Sequence, residues 1–127
     1  MQSNFSIFGK GPILFIGAHP DDVELGCGGL IDKLKKSYEI YVLTLSKNLK
    51  NPDNKNLVDE QIKSLLSLGI KRKNILHADF VTREFSYSRQ EVCDFLWKIK
   101  QKIKPSAVFT TPYDIHQDHQ VCNNECL

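Results

Sequence analysis

The 127-residue sequence predicts an α/β fold. The expected architecture is a mostly parallel, doubly wound sheet in strand order 3-2-1-4, covered by helices on both faces. Two observations predict it. Four short apolar runs of β-type composition, at 12–17, 39–45, 74–78 and 106–111, alternate with segments of helical period. The links between them are short, so each strand must return across the sheet through a helix, which makes neighbouring strands parallel. The length suits residues 1–127 as a single domain, and 41% hydrophobic with 25% charged residues is ordinary for a soluble one.

Each element has a local reason. The first strand is Ile13-Leu14-Phe15-Ile16-Gly17, an unbroken apolar run of the kind buried on both faces. Segment 26–37 carries Leu30, Ile31 and Leu34, and a helix is expected to begin near Leu25. Gly26, Gly28 and Gly29 read as sites of close helix-on-sheet packing. Segment 56–69 carries Val58, Ile62, Leu65 and Leu66 at spacings i, i+4, i+7 and i+8, and Gly69 suits the position after a helix end. Segment 87–104 carries Val92, Phe95, Leu96, Ile99 and Ile103 on one stripe, with Ser86 or Ser88 placed to cap its start and Pro105 just beyond its end. Trp97 reads as partly buried packing on that helix, and His77 as a structural residue at the end of strand three. The polar stretch 46–55 reads as a loop over the carboxyl end of strand two, where loops often close on a site.

Bulk properties exclude several classes. Seventeen Lys+Arg against fifteen Asp+Glu leave a net charge of +2, without the basic surplus of a nucleic-acid binder. Lysines cluster at 33–36, 47–55 and 98–104, two of these on expected helices, where a solvated face accounts for them. No run approaches the ~18 apolar residues of a membrane span. The first apolar stretch lacks a small-residue cleavage site, so it reads as a strand and the chain as cytoplasmic. Cys27, Cys93, Cys122 and Cys126 form no Cys-x-x-Cys and need not pair.

The chemistry concentrates in two clusters. Ala18-His19-Pro20-Asp21-Asp22-Val23-Glu24 follows strand one, and Asp114-Ile115-His116-Gln117-Asp118-His119 follows strand four. In the order 3-2-1-4, strands one and four are neighbours, and the winding reverses between them. Ligand sites of doubly wound sheets lie in the crevice at that reversal, outside the carboxyl ends of the strands. The two clusters should therefore share one crevice despite some ninety intervening positions. His19, Asp22 and His119 can supply two imidazoles and a carboxylate, the donor set of a catalytic zinc that keeps a position open for water. Asp21, adjacent on the turn, faces elsewhere and is free to act as the base. His116 can donate to an oxyanion or protonate a leaving amine. Asp118 is placed to orient an imidazole from behind. Glu24 is placed to brace the turn or cap the helix. These parts suit metal-assisted hydrolysis of an amide or ester; two imidazoles and a carboxylate also accept iron, cobalt or nickel.

The run 19–29, His-Pro-Asp-Asp-Val-Glu-Leu-Gly-Cys-Gly-Gly, with His116-Gln117-Asp118-His119 after a strand, resembles the PIG-L/LmbE-like family of zinc-dependent N-acetylglucosaminyl deacetylases. Glu60 with Leu68-Gly69-Ile70, Arg89-Gln90-Glu91 and the stretch 105–112 extend the similarity over nearly the whole chain. The resemblance implies a Rossmann-like three-layer fold and one zinc. By position it implies His19, Asp22 and His119 as ligands, Asp21 as base and His116 as acid or oxyanion donor. It adds a substrate class, an N-acetylated sugar of the glucosamine type. Two departures stand out. Relatives often carry an arginine shortly before the helix glutamate, where this chain has Asn56-Leu57-Val58, so a substrate contact made by that arginine would be missing here or supplied by Arg83 or Arg89. Relatives also continue well beyond the second motif, which implies that this chain is the N-terminal portion of the family domain. An uncovered strand four would then be an edge open to self-association as a homo-oligomer. A metal-binding fragment of little activity, or an amidase acting on a non-sugar, would share the same residues and differ in turnover on a substrate panel.

Overall fold

The computed structural model describes residues 7–47, 55–111 and 116–126. Strands β1 (Ile13–Gly17), β2 (Ile40–Thr44), β3 (Ile75–His77) and β4 (Ala107–Phe109) form one sheet in the order β3-β2-β1-β4. All three pairings are parallel, with Ile13 opposite Ile40 and Ala107, and Val42 opposite Ile75. Helices α1 (Asp22–Leu34), α2 (Leu57–Ser67), α3 (Arg89–Ile103) and α4 (Gln117–Cys126) accompany the strands among the described residues, with single 3-10 turns at Arg72–Asn74 and Phe85–Ser88. Strand order and layering are those the alternating pattern predicts.

The period-two geometry of β1 divides the core. Ile13 and Phe15 pack with Val23, Ile31, Leu34 and Leu65 of α1 and α2, and the ring of Phe15 stacks on Phe109 at 5.0 Å. Leu14 and Ile16 point the other way, into a layer built with Phe85, Val92, Leu96, Ile103 and Val121. A strand buried on both faces must be apolar throughout, which explains the unbroken composition of 13–16. At the sheet edge β4 is only three residues long, and Val108 is 44% exposed. Among the described residues no helix is long and apolar enough to cross a membrane.

Several local expectations are corrected. Helix α1 starts at Asp22, four residues before the anticipated segment, because Glu24 at its third position accepts the Asp21 backbone N–H (3.1 Å) and two acidic side chains lie at the positive end of the helix. The glycines at 26, 28 and 29 therefore lie inside the helix. A Cβ at any of them would meet no described atom within 4 Å, so close packing is not their role. Neither serine caps α3: the Ser86 hydroxyl donates to Gln117 (3.1 Å), and Ser88, at the cap position, makes no side-chain cap bond. Trp97 is 63% exposed, since Val92, Leu96 and Ile103 take the inward stripe. Gly69 does follow α2 as expected, at φ +94°. Most of the anticipated loop 46–55 lies outside the described residues.

His77, at the end of β3, is structural as expected, with its Nε2 2.7 Å from Gln61 Oε1. Burial, reinforced by the Lys47 and Arg72 charges and opposed by Asp79, holds its imidazole below the usual 6.5. As pH falls below 6.5, the unfolded chain takes up a proton that the folded imidazole resists, so stability declines towards the folded-state pKa and is flat above 6.5. Comparing His77→Gln with the wild type by urea unfolding between pH ~7.5 and ~5.5 should show a shallower decline in the variant; identical slopes would remove His77 as a contributor.

Candidate metal centre

The carboxyl ends of β1 and β4 lie side by side, so the chain leaving β1 and the helix following β4 meet above the sheet. The first turn is held by its own carboxylate. Asp22 Oδ2 accepts the backbone N–H groups of Ala18 (3.1 Å) and His19 (2.9 Å), and the Asp22 N–H reaches the His19 carbonyl at 3.3 Å. This closure needs Gly17. A Cβ there would lie 3.1 Å from both Asp22 Cβ and Val23 Cγ2, so a larger residue forces the start of α1 to give by a few tenths of an ångström. In the sequence Gly17 reads only as the end of a strand; its place directly before the cluster is the available signal of this second role.

His19, Asp22 and His119 offer ligand atoms that all lie within 4.8 Å of one another. His19 Nδ1 stands 3.7 Å from Asp22 Oδ2, and His119 Nε2 stands 3.2 Å from the same oxygen. Donors ~2.0–2.1 Å from a tetrahedral ion are about 3.3 Å apart, so the two separations bracket what such an ion requires. The expected convergence of the two clusters is therefore present in the fold. Borderline nitrogen and oxygen donors of this kind suit zinc and its divalent transition-metal neighbours.

Behind the donors sits Asp118, fully buried. Its Oδ2 lies 2.7 Å from His19 Nε2 and accepts the Arg83 N–H at 2.6 Å, while Oδ1 accepts the Phe85 N–H at 3.3 Å. Burial by itself would raise this carboxyl. The His19 hydrogen bond and the two backbone N–H groups outweigh burial and hold it below the usual carboxylate range. An ionised Asp118 only accepts, so the proton of His19 sits on Nε2 and the lone pair on Nδ1 faces the donor cluster. Asp118 thus fixes the tautomer of His19.

His116 joins His19 and Asp118 in a second converging group, with its ring 4.9 Å from that of His19 and 4.8 Å from that of His119. Its Nδ1 accepts the Asp118 backbone N–H at 3.1 Å, which leaves the proton on Nε2. Asp21 is exposed on the turn at φ 79°, a left-handed conformation that costs on the order of 1 kcal/mol away from glycine and tends to occur at functional turns. Glu24 braces it, as expected, through the backbone. Burial pushes the Glu24 carboxyl up, opposed by a hydrogen bond from Gln61. Gln61, fully buried on α2, has no counterpart among the sequence-predicted residues because it interrupts an otherwise apolar stripe. A cavity of about 420 Å³ opens beside the donors, lined among others by Asp22, His119, Phe109, Thr110 and Thr111. Arg83 contributes its backbone to Asp118, with its side chain exposed, whereas Arg89 pairs with Glu125 at 3.2 Å. Asp114 lies outside the described residues.

A parallel α/β sheet whose adjoining strand ends bring two imidazoles and a carboxylate to one point, with a buried acid behind one imidazole, defines a Rossmann-like fold with a cluster that could hold a divalent metal ion. Comparison with known proteins narrows the class: the family model for GlcNAc-PI de-N-acetylase, PIG-L, matches residues 14–127, and the chain belongs to that family. It is 31% identical to the uncharacterized deacetylase YaiS of Escherichia coli, over 84% of this chain and 61% of the relative. It is 30% identical to the diacetylchitobiose deacetylase of Thermococcus kodakarensis, over 85% of this chain and 45% of the relative. The crystal structure of the conserved protein TT1542 from Thermus thermophilus superposes with a TM-score of 0.70 at 22% identity, covering 91% of this chain and 53% of the other. The chain thus spans about half to three-fifths of the length of these proteins.

Asp118→Asn turns an amide N–H towards backbone N–H groups. It should lower stability by about 1–3 kcal/mol and metal affinity by about 10–100-fold, measured by urea unfolding and zinc titration. Unchanged affinity would show that the carboxylate does not orient His19.

Proposed function

We propose that this chain carries the metal centre of an N-deacetylase that removes the acetyl group from an N-acetylglucosamine-type sugar or conjugate. The convergence of His19, Asp22 and His119, with Asp118 on the rear nitrogen of His19, carries the reading. Family membership and the deacetylase relatives support the amide as the bond cleaved and an N-acetylated sugar as the substrate class.

The three ligands would hold zinc or a similar divalent ion, which when bound lowers the pKa of water and polarises the acyl oxygen. The remaining steps belong to the chain. Asp21 takes the proton of the attacking water. Its exposed carboxylate lies on the turn between the two proposed ligands His19 and Asp22. His116 presents Nε2–H to the developing oxyanion. Because its Nδ1 accepts the Asp118 N–H, a neutral hydrogen-bond donor fits the geometry better than a doubly protonated acid. Proton delivery to the leaving amine then returns to Asp21, the group that gained the proton. The cavity lined by Thr110, Thr111 and Phe109 is the place for substrate beside the donors. Arg83, on the loop tied to Asp118, is the better of the two arginine candidates for a substrate contact, since Arg89 is engaged with Glu125.

Acetate release from N-acetylglucosamine and N,N′-diacetylchitobiose by zinc-loaded protein is the direct test. Asp21→Asn should keep its metal and lose at least about 100-fold in kcat, whereas His19→Ala and His119→Ala should lose metal by elemental analysis. Full turnover in Asp21→Asn would remove the base, and full zinc content in both histidine variants would remove the ligands.

A further inference from the structure

A buried polar chain runs from the outer strand to the turn that carries the proposed base. Gln61, on the inner face of α2, is 1% exposed. Its Nε2 donates to Glu24 Oε1 (3.1 Å) and to Thr44 Oγ1 (2.9 Å), and its Oε1 lies 2.7 Å from His77 Nε2. The other Glu24 oxygen accepts the Asp21 N–H at 3.1 Å. Four elements meet here: the end of β3, α2, the end of β2 and the first turn of α1.

We propose that Gln61 is a positioning residue for Asp21, acting through Glu24, with His77 clamping the far side of the amide. The inference rests on the reading of Asp21 as the base. The orientation of the amide follows from its partners. A carboxylate only accepts, so the amide nitrogen faces Glu24, the amide oxygen faces His77, and His77 carries its proton on Nε2. A leucine here would leave Glu24 Oε1, Thr44 Oγ1 and His77 Nε2 without the partner that Gln61 supplies. Among the described residues, the link of this buried amide towards the candidate site is Glu24. That link matters because Asp21 is held at φ 79°, a conformation that persists only when the surroundings impose it. The exposed Asp21 carboxylate takes its direction from this backbone, and small misplacements of a reacting group lower turnover without changing ground-state affinity.

The test is a swap of the hydrogen-bonding pair in the full chain. Gln61→Leu and Glu24→Gln should each lower kcat about tenfold, with KM within about twofold, zinc content unchanged and faster hydrogen exchange at the Asp21 amide. The double variant Glu24→Gln/Gln61→Glu restores a complementary pair. Its amide at position 24 would accept the Asp21 N–H and donate to the carboxylate at position 61, while Thr44 and His77 donate to that same carboxylate. It should therefore recover most of the lost turnover and the slow exchange. If Gln61→Leu does not fold, His77→Ala loosens the clamp from the periphery and should shift both readouts in the same direction. Wild-type exchange at Asp21 in the single variants, or losses in the double variant that merely add, would overturn the proposal. If the wild type releases no acetate, the proposed activity falls, and amide exchange alone still decides whether Gln61 positions Asp21.

Discussion

The contact between the buried Asp118 carboxylate and His19 Nε2, at 2.7 Å, is the constraint on which the rest of the centre depends. A charge with no solvent exposure is tolerated only when donors surround it. Asp118 has three, drawn from two distant stretches of chain: the imidazole after β1, and the backbone of Arg83 and Phe85. Satisfying one carboxylate therefore docks the start of α4 against the turn after β1 and against the loop entering α3. The same geometry decides which nitrogen of His19 is left for a ligand. The packing of the layers and the geometry of the candidate metal cluster share a single hydrogen-bonded group.

The opposite side of the centre is arranged by backbone rather than charge. Gly17 lets α1 begin almost on top of the strand end, and Asp22 holds with one oxygen two N–H groups that would otherwise be orphaned at the turn. The sharp reversal that results puts Asp21 in a left-handed conformation. Adjacent acids are thereby separated: Asp22 lies half-buried in the donor cluster and Asp21 is exposed. The polar network behind Glu24 supports that strained residue, while the apolar residues of β1 and α1 hold the layer beneath it.

Much of the architecture is legible in the residues. Unbroken apolar runs separated by helical stripes leave few alternatives to a parallel, doubly covered sheet, and the reversal of that sheet foretells where two distant clusters meet. Positions 26–29 mislead because small residues in a helix suggest close packing against the sheet, whereas a Cβ at Gly26, Gly28 or Gly29 would meet no described atom outside its own helix. Trp97 misleads because hydrophobicity alone does not say which side of a stripe a residue takes. Gln61 is silent because a polar residue on an apolar face carries no meaning until its partners, 16, 17 and 37 positions away, are known.

Periodicity and residue type, both local properties, were enough to establish the layers, the strand order and the candidate metal-binding side chains. Distances, tautomers and strain were decided by tertiary structure alone. Whether His19 offers Nδ1 or Nε2, whether His116 can carry a second proton, and what keeps Asp21 in place depend on groups brought together by packing from β2, β3, α2 and α4. No local pattern encodes those contacts, because hydrogen bonds between distant segments exist only once the hydrophobic layers have set the segments side by side.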